Sequence, residues 1–294
     1  MAVKLICASH SPLMEFASPQ EKYKEDKVRE TFAKLAQEVE DYNPTLIITF
    51  GPDHFNGFFY DLMPSFCVGI RAKAAGDWDY GKDNDHINVP EDKALAMVRR
   101  VLDEGVDVSY SYRMQADHGV TQPLHFLCEG QLDRYPTIPV FVNGAAAPMP
   151  TTKRTIALGR AVGQFIKSLN LENERVLVLG TGGLSHDPPT PQMGSVPPEV
   201  EEFLIAGRNP TPEARAARQA KVIAVGQKLA AGDTSVSVPL NAKWDLDLLE
   251  KFKAADFAAL EAMTEEQIRI DGGRGGQEVR CWMAAFAALH EIGA

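Results

Sequence analysis

Short apolar runs that break at glycine, proline or histidine alternate along this chain with longer stretches of helical periodicity. The runs at 3–8, 46–50, 106–112, 139–142 and 176–179 are aliphatic, β-branched or alternating, and each predicts a strand. Between them, apolar residues recur three and four apart. Val28, Phe32, Leu35 and Val39 mark one helical face in 21–41. Leu95, Val98, Val101 and Leu102 mark another in 91–104, and Leu158, Val162, Phe165 and Leu169 a third in 151–169. Further helices are expected from Pro123 to Cys128 and over 213–231, 245–253, 257–270 and 277–291. The last buries Val279, Trp282, Met283, Phe286 and Leu289. Strand, helix and strand joined by short connections predict right-handed crossovers between parallel strands. The expected fold class is α/β, three layers α/β/α around a central, mostly parallel (mixed) sheet. Its site is expected at the C-terminal strand ends.

The remaining stretches fill in the outline. Residues 55–69 carry Phe55, Phe58, Phe59, Tyr60 and Phe66, expected mainly as packing under a loop, or else as an apolar wall for an aromatic ligand. A polar surface loop is expected over 72–89, an irregular proline-rich lid or rim over 190–212, and a flexible glycine-rich loop over 272–276. With no solenoid-spaced repeat and no clear linker, a single catalytic domain over 1–294 is expected.

Composition narrows the function. The chain is 45% hydrophobic and 24% charged, ordinary for a globular protein, and its net charge of -10 argues against nucleic acid or an anionic membrane as partner. Cys7, Cys67, Cys128 and Cys281 form no Cys-x-x-Cys pair, so they are expected as reduced, buried thiols in a cytoplasmic protein. The N-terminal apolar run is too short for the core of a signal peptide, and no window reaches the ~18 apolar residues of a membrane span.

The candidate chemistry lies where strands stop. His10 follows the first strand in Ser9-His10-Ser11-Pro12. His54 follows the second in Gly51-Pro52-Asp53-His54, His118 follows 106–112, and His186 follows 176–179 in Gly182-Gly183-Leu184-Ser185-His186. A single loop histidine is more often a structural or surface residue, and His86, His125 and His290 are read that way. Four histidines at equivalent strand ends point instead to one cleft. Two histidines and a carboxylate on one face of a metal are the ligand set of non-haem Fe(II) oxygenases. Two carboxylates are considered: Asp53, which adjoins His54, and Glu278, which begins a helix right after the glycine-rich loop, where the backbone can bring it close. The same histidines also suit Zn(II) in a hydrolase, and a non-catalytic scaffold is the third possibility.

Six segments carry a resemblance that runs through nearly the whole chain. They are Ser9-His10-Ser11-Pro12, the run from Pro52 through Asp61, Met114-Gln115-Ala116-Asp117-His118-Gly119, Phe141-Val142-Asn143-Gly144, Gly182-Gly183-Leu184-Ser185-His186 and Trp282-Met283-Ala284-Ala285-Phe286. In these the chain resembles the class III extradiol ring-cleavage dioxygenases, those related to the β-subunit of protocatechuate 4,5-dioxygenase. The resemblance implies that His10, His54 and Glu278 bind Fe(II), that His118 and His186 are the acid–base pair, and that Asp117 orients His118. It implies a homo-oligomer that opens a catechol with O2 beside the diol. The substrate it implies bears a carboxyalkyl or carboxyalkenyl side chain at the 3-position, such as 2,3-dihydroxyphenylpropionate or 2,3-dihydroxycinnamate. Arg71, Arg113 and Arg274 are the candidates for holding that carboxylate. Two departures stand out: Gln277 precedes the glutamate where close relatives have histidine, and the chain ends at Ala294 where they carry a further tail.

Overall fold

A computed structural model describes residues 2–11, 22–75, 85–233, 235 and 237–293. Among these the strands are β1 (Val3–Ala8), β2 (Leu46–Gly51), β3 (Phe66–Gly69), β4 (Ala72–Ala74), β5 (His86–Ile87), β6 (Ser109–Ser111), β7 (Met114–Ala116), β8 (Thr137–Val142) and β9 (Val176–Thr181). The helices are α1 (Lys22–Tyr42), α2 (Glu91–Asp103), α3 (His118–Leu127), α4 (Thr152–Ser168), α5 (Pro198–Ala206), α6 (Pro212–Ala230), α7 (Ala242–Lys253), α8 (Phe257–Ala262), α9 (Glu265–Gly272) and α10 (Val279–Ile292).

The main sheet runs β1-β9-β2-β8-β3-β6. Every adjacent pair in it is parallel except β3 against β8. Both faces are covered, which is why the strand sequences read as unbroken apolar runs. Ile48, Phe50, Val176 and Val178 point to α2, α4 and α10. Ile47, Leu177 and Leu179 point to α1 and α3. The mostly parallel, mixed α/β architecture is the one read from the periodicity.

Register sets up the site. β9 lies between β1 and β2, with Gly180 paired to Cys7 on one side and to Phe50 on the other. All three strands are parallel, so their C-terminal ends open side by side. The segments holding His10, His54 and His186 therefore leave the sheet at one edge.

Several local expectations change. The 72–89 region is not all loop: β4 pairs with β5 and β7 in a small second sheet, while 76–84 lie outside the described residues, as does the expected helix start at residue 21. Only 109–111 of the expected 106–112 strand pair in the main sheet. A short strand, β3, occupies part of the aromatic-rich stretch. α5 forms within the proline-rich 190–212, starting at Pro198, where proline's fixed φ suits a first turn. The expected 257–270 helix is two helices, α8 and α9, divided where Thr264 caps the second. The 272–276 stretch is tightly packed rather than flexible, and it leads into a buried 3-10 turn, Gly275–Glu278. On α10 the small residues Ala284, Ala285, Ala287 and Ala288 are fully buried, while Trp282, Phe286 and Leu289 are half-buried. Alanines go inside because α10 lies against both α4 and the sheet. The four cysteines are free thiols, and burial pushes Cys67 and Cys128 up to about 12. Among the described residues no helix is long and apolar enough to cross a membrane.

Candidate active site

Each strand break delivers its side chain for a local reason. After β2, Gly51-Pro52 ends the ladder, and the Asp53 carboxylate accepts the N–H groups of Asn56 (3.1 Å), Gly57 (2.8 Å) and Phe58 (3.2 Å). That turn fixes the chain around His54. It also occupies both oxygens of Asp53, whose pKa burial and the nearby Asp117 carboxylate push up to about 7. Asp53 is thus a turn residue. Of the two carboxylates considered from sequence, Glu278 is the one that reaches the histidines.

His118 arrives differently from the expectation. It opens α3, which starts five residues before Pro123, with Asp117 as N-cap. Pro123 sits inside this helix and has no N–H for the carbonyl of Gly119, four residues earlier. The hydroxyl of Thr181, at the end of β9, donates to that carbonyl instead. The same contact ties the first turn of α3 to the strand end that leads to His186.

The five side chains converge. His10, His54 and His118 bring a ring nitrogen each within 4.8 Å of one another, an arrangement able to hold a metal ion. The rings of His54 and His118 stack at 4.5 Å between centroids. Glu278 lies among three imidazoles: Nε2 of His54 is 3.0 Å from one carboxylate oxygen, and Nε2 of His186 is 3.6 Å from the same oxygen. Nε2 of His10 is 3.5 Å from the other oxygen, which also accepts the Gly183 N–H at 3.0 Å. His10 and Glu278 are 7% and 3% exposed, so neither is solvated in place of these contacts.

A metal fits this donor set. Two ligand atoms about 2.1 Å from one ion and at right angles to each other are about 3 Å apart, close to the His54–Glu278 separation. Both ring nitrogens of His10 are buried without a hydrogen-bond partner, an arrangement that a cation relieves. Burial outweighs the pull of Glu278 and pushes the His10 pKa down to about 3, leaving a neutral imidazole with a lone pair to give. Burial opposes charge on His54 and His186 too. Asp117 and Glu278 overcome it at His54, and Glu278 at His186, raising both. Burial likewise opposes ionisation of Glu278 and Asp117, yet the imidazoles around them hold both carboxyls well below the usual range. Two buried anions thus await positive charge, from protons or from a cation.

Orientation is set one layer out. Nδ1 of His54 lies 2.8 Å from Asp117, and Nδ1 of His118 contacts the other oxygen of the same carboxylate. Asp117 also accepts the backbone N–H of His54. The expectation that Asp117 serves His118 is therefore incomplete, because it serves both rings. Nδ1 of His186 donates to the Leu184 carbonyl at 2.9 Å, since a carbonyl only accepts. A Cβ on Gly275 would come within 2.2 Å of the His186 ring, so the glycine lets the 3-10 turn press against the imidazole.

Two supports carry almost no signal in the sequence. Gln122 pairs twice with the peptide of Ser11, and Asp187 binds Arg274 through both guanidinium and backbone. Their only clue was position: Gln122 lies one helical turn past His118, and Asp187 follows His186. Gln277 is part of the turn's frame. It donates to the Glu265 carbonyl at 2.7 Å and accepts from Arg280, which is 1% exposed and also donates to the Pro150 carbonyl. Of the three arginines considered for a substrate carboxylate, Arg71 is exposed and paired with Glu91, and Arg113 is exposed. Arg274 alone stands beside the cluster.

Comparison with known proteins agrees with this geometry. A family model described as the catalytic LigB subunit of aromatic ring-opening dioxygenase matches residues 4–293. A Photorhabdus laumondii protein named 2,3-dihydroxyphenylpropionate/2,3-dihydroxicinnamic acid 1,2-dioxygenase is 59% identical over 293 residues, covering 100% of this chain and 90% of its own. Proteins of the same name from Paraburkholderia xenovorans and Azotobacter vinelandii are 45% and 46% identical, each over 100% of this chain and over 90% and 92% of their own. With the match running through β1, β2, β9 and the turn that carries Glu278, this chain belongs to the family of the catalytic LigB subunit of aromatic ring-opening dioxygenases.

Proposed function

We propose that this chain is an Fe(II)-dependent extradiol dioxygenase for catechols with a carboxylated side chain at the 3-position, 2,3-dihydroxyphenylpropionate or 2,3-dihydroxycinnamate first among them. The observation that carries the metal assignment is the approach of two histidine Nε2 atoms to Glu278, at 3.0 and 3.5 Å, with both His10 nitrogens lacking any hydrogen bond. The substrate assignment rests on the names of the relatives. We assign His10, His54 and Glu278 as the ligands, acting within one catalytic unit that spans the chain.

Bound Fe(II) would supply the Lewis acidity that lets a catechol ionise near neutral pH and would hold it beside dioxygen. The chain's own residues do the rest. A catechol hydroxyl has a pKa near the phenolic ~10, so its ionisation also needs a base. His118 and His186 each have Nδ1 held by an acceptor, so each keeps Nε2 for a proton of substrate or product. His186 is the more accessible, with 34% of its side chain exposed against 5% for His118, and is the natural route for protons to and from solvent. Phe55 and Phe59 are buried in a cluster of their own with Ala146 and Leu204, the packing role expected for most of this aromatic stretch. The product is a ring-opened, yellow muconic semialdehyde-type keto acid. The family likeness supports a homo-oligomer, and the free thiols, buried at Cys67, Cys128 and Cys281 and half-buried at Cys7, support a reducing, cytoplasmic setting.

The test is anaerobic loading with Fe(II), then addition of 2,3-dihydroxyphenylpropionate and air, with absorbance and oxygen recorded together. One O2 consumed per catechol, with yellow product, is expected. Both should vanish in His54→Ala and Glu278→Gln. Iron retained without oxygen uptake on any catechol would overturn the assignment.

A further inference from the structure

Beside the histidine cluster lies a cavity of about 330 Å³ lined by Asp187, Gln192, Val238, Arg269 and Arg274. It is close to the proposed chemistry by construction: Asp187 follows His186, and Arg274 precedes the glycine that presses on the His186 ring. Two backbone bonds lock these segments together, His186 N–H to the Gly272 carbonyl at 2.9 Å and Gly275 N–H to the His186 carbonyl at 3.0 Å.

The lining is cationic in a chain of net charge -10. Its charged members are two arginines and one aspartate. The Asp187 carboxylate is fully engaged: it accepts from Arg274 N (3.1 Å), Nε (2.7 Å) and Nη2 (3.0 Å) and from Val238 N (3.0 Å). Its role is to hold the Arg274 fork in one orientation, leaving the Nη1 edge as a fixed donor. Arg269 is held differently. Its partner is Glu266, three residues earlier on α9, through Nε (2.9 Å) and Nη2 (2.7 Å), and both side chains are more than half exposed. Such a pair contributes little and is readily exchanged for another anion. Val238 adds apolar surface, and the Gln192 amide adds donors.

We infer that this cavity receives the carboxylate-bearing side chain of the substrate, with Arg269 as the exchangeable cation and Arg274 as the fixed one. Short methylenes lie against Val238 and the arginine stems, and the carboxylate takes N–H bonds from Arg269 and Gln192. The inference rests on the substrate class proposed above and names the site that selects it. It also gives an anionic substrate a local point of entry on an acidic protein, because Arg269, once exchanged from the exposed Glu266, acts at close range while charges beyond a Debye length of ~10 Å are screened.

The test uses Fe(II)-loaded protein and two substrates of like size, 2,3-dihydroxyphenylpropionate and the uncharged 3-propylcatechol. In Arg269→Met the ratio of their kcat/KM values should fall about 10- to 100-fold against the parent, the range that hydrogen bonds to charged groups span. Arg269→Lys should recover part of it. In metal-free protein, 3-phenylpropionate, which has no hydroxyls to chelate iron, should bind by calorimetry, and Arg269→Met should weaken that binding by a similar factor. An unchanged ratio and unchanged phenylpropionate affinity overturn the inference. So does an equal loss on both catechols, which would mark Arg269 as structural. If the parent opens neither catechol, the dioxygenase reading itself fails. The calorimetry still tests the anion site on its own.

Discussion

One carboxylate oxygen of Asp117 lies 2.8 Å from Nδ1 of His54, 63 residues away in the chain. With that proton held, His54 can present only Nε2 to the centre, and the other Asp117 oxygen does the same for His118. Asparagine in this place offers one acceptor and one donor. It would suit one ring and force the other to turn or take the wrong tautomer. Asp117→Asn is therefore expected to fold but to bind Fe(II) about 10- to 100-fold more weakly, as loss of an outer carboxylate partner does elsewhere. Anaerobic titration against a chelator measures it. Parent-like affinity would mean that His54 is oriented by packing alone.

The Ser11 peptide depends on Gln122. The Ser11 N–H donates to Oε1 at 2.7 Å and the Ser11 carbonyl accepts from Nε2 at 3.0 Å, so a side chain stands in for the strand partner that β1 has lost beyond Ala8. Gln122 is completely buried. Gln122→Leu keeps the bulk and strands both peptide groups, so a loss of about 1–3 kcal/mol in urea unfolding is expected. Because His10 is the preceding residue, iron should also leave the variant faster. Gln122→Glu retains the acceptor for the Ser11 N–H and should fall between. If Leu is tolerated without cost, water has replaced the amide and the His10 segment needs no such support.

How far the sequence carried this picture depends on the range of each signal. His10 and His54 were legible because an apolar run followed by a break is a local pattern. The parallel order of β1, β9 and β2 then puts their ends together. His118 was legible as a site residue but misplaced, since Pro123 read as a helix start and the compensation for its missing N–H comes from Thr181, 58 residues on. The glycines at 272–276 read as flexibility because close packing against His186 leaves no local trace. Glu278 was ambiguous for the same reason, and Asp53, nearer to a histidine in sequence, is occupied by its own turn. Gln122, Asp187 and Arg269 act through pairings across the fold, which periodicity does not encode. Family resemblance, not pattern, singled out the proposed ligand set.

The Asp187–Arg274 pair gives acid stability a defined direction. Burial tends to raise the Asp187 pKa, but Arg274 and two backbone N–H groups overcome it and hold the carboxyl at about 2, below the usual ~3.9. A depressed carboxyl contributes stability that is complete above its unfolded pKa and is lost as pH falls from about 4 through about 2. With Arg274 34% exposed, screening limits the contribution to the order of 1 kcal/mol. Asp187→Asn should therefore be less stable than the parent at pH 6, with the gap closing between pH 4 and pH 2 and shrinking in 1 M salt. Denaturant titrations across that window check it. A gap independent of pH would assign the loss to packing.

α4 packs tightly against α10, the helix that follows Glu278. A Cβ on Gly159 of α4 would lie 2.2 Å from the Ala284 carbonyl and 2.8 Å from the Ala287 Cβ on α10, so the two helices approach backbone to backbone. Alanine at an interior helix position gains up to about 1 kcal/mol over glycine by propensity. Overpacking of this kind costs about 1–3 kcal/mol, and here the obstacle is main chain rather than a rotatable side chain. The second effect should win: Gly159→Ala is expected to lower stability by about 1–2 kcal/mol in urea, and Gly159→Val by more. α10 continues directly from the turn that holds Glu278, so pushing it away from α4 shifts that carboxylate against His10 and His54. The stability loss should thus come with weaker Fe(II) retention, measured by metal content after gel filtration. A stabilised Gly159→Ala protein with full iron would mean that the helix pair relaxes freely and that the α4–α10 spacing does not set the position of Glu278.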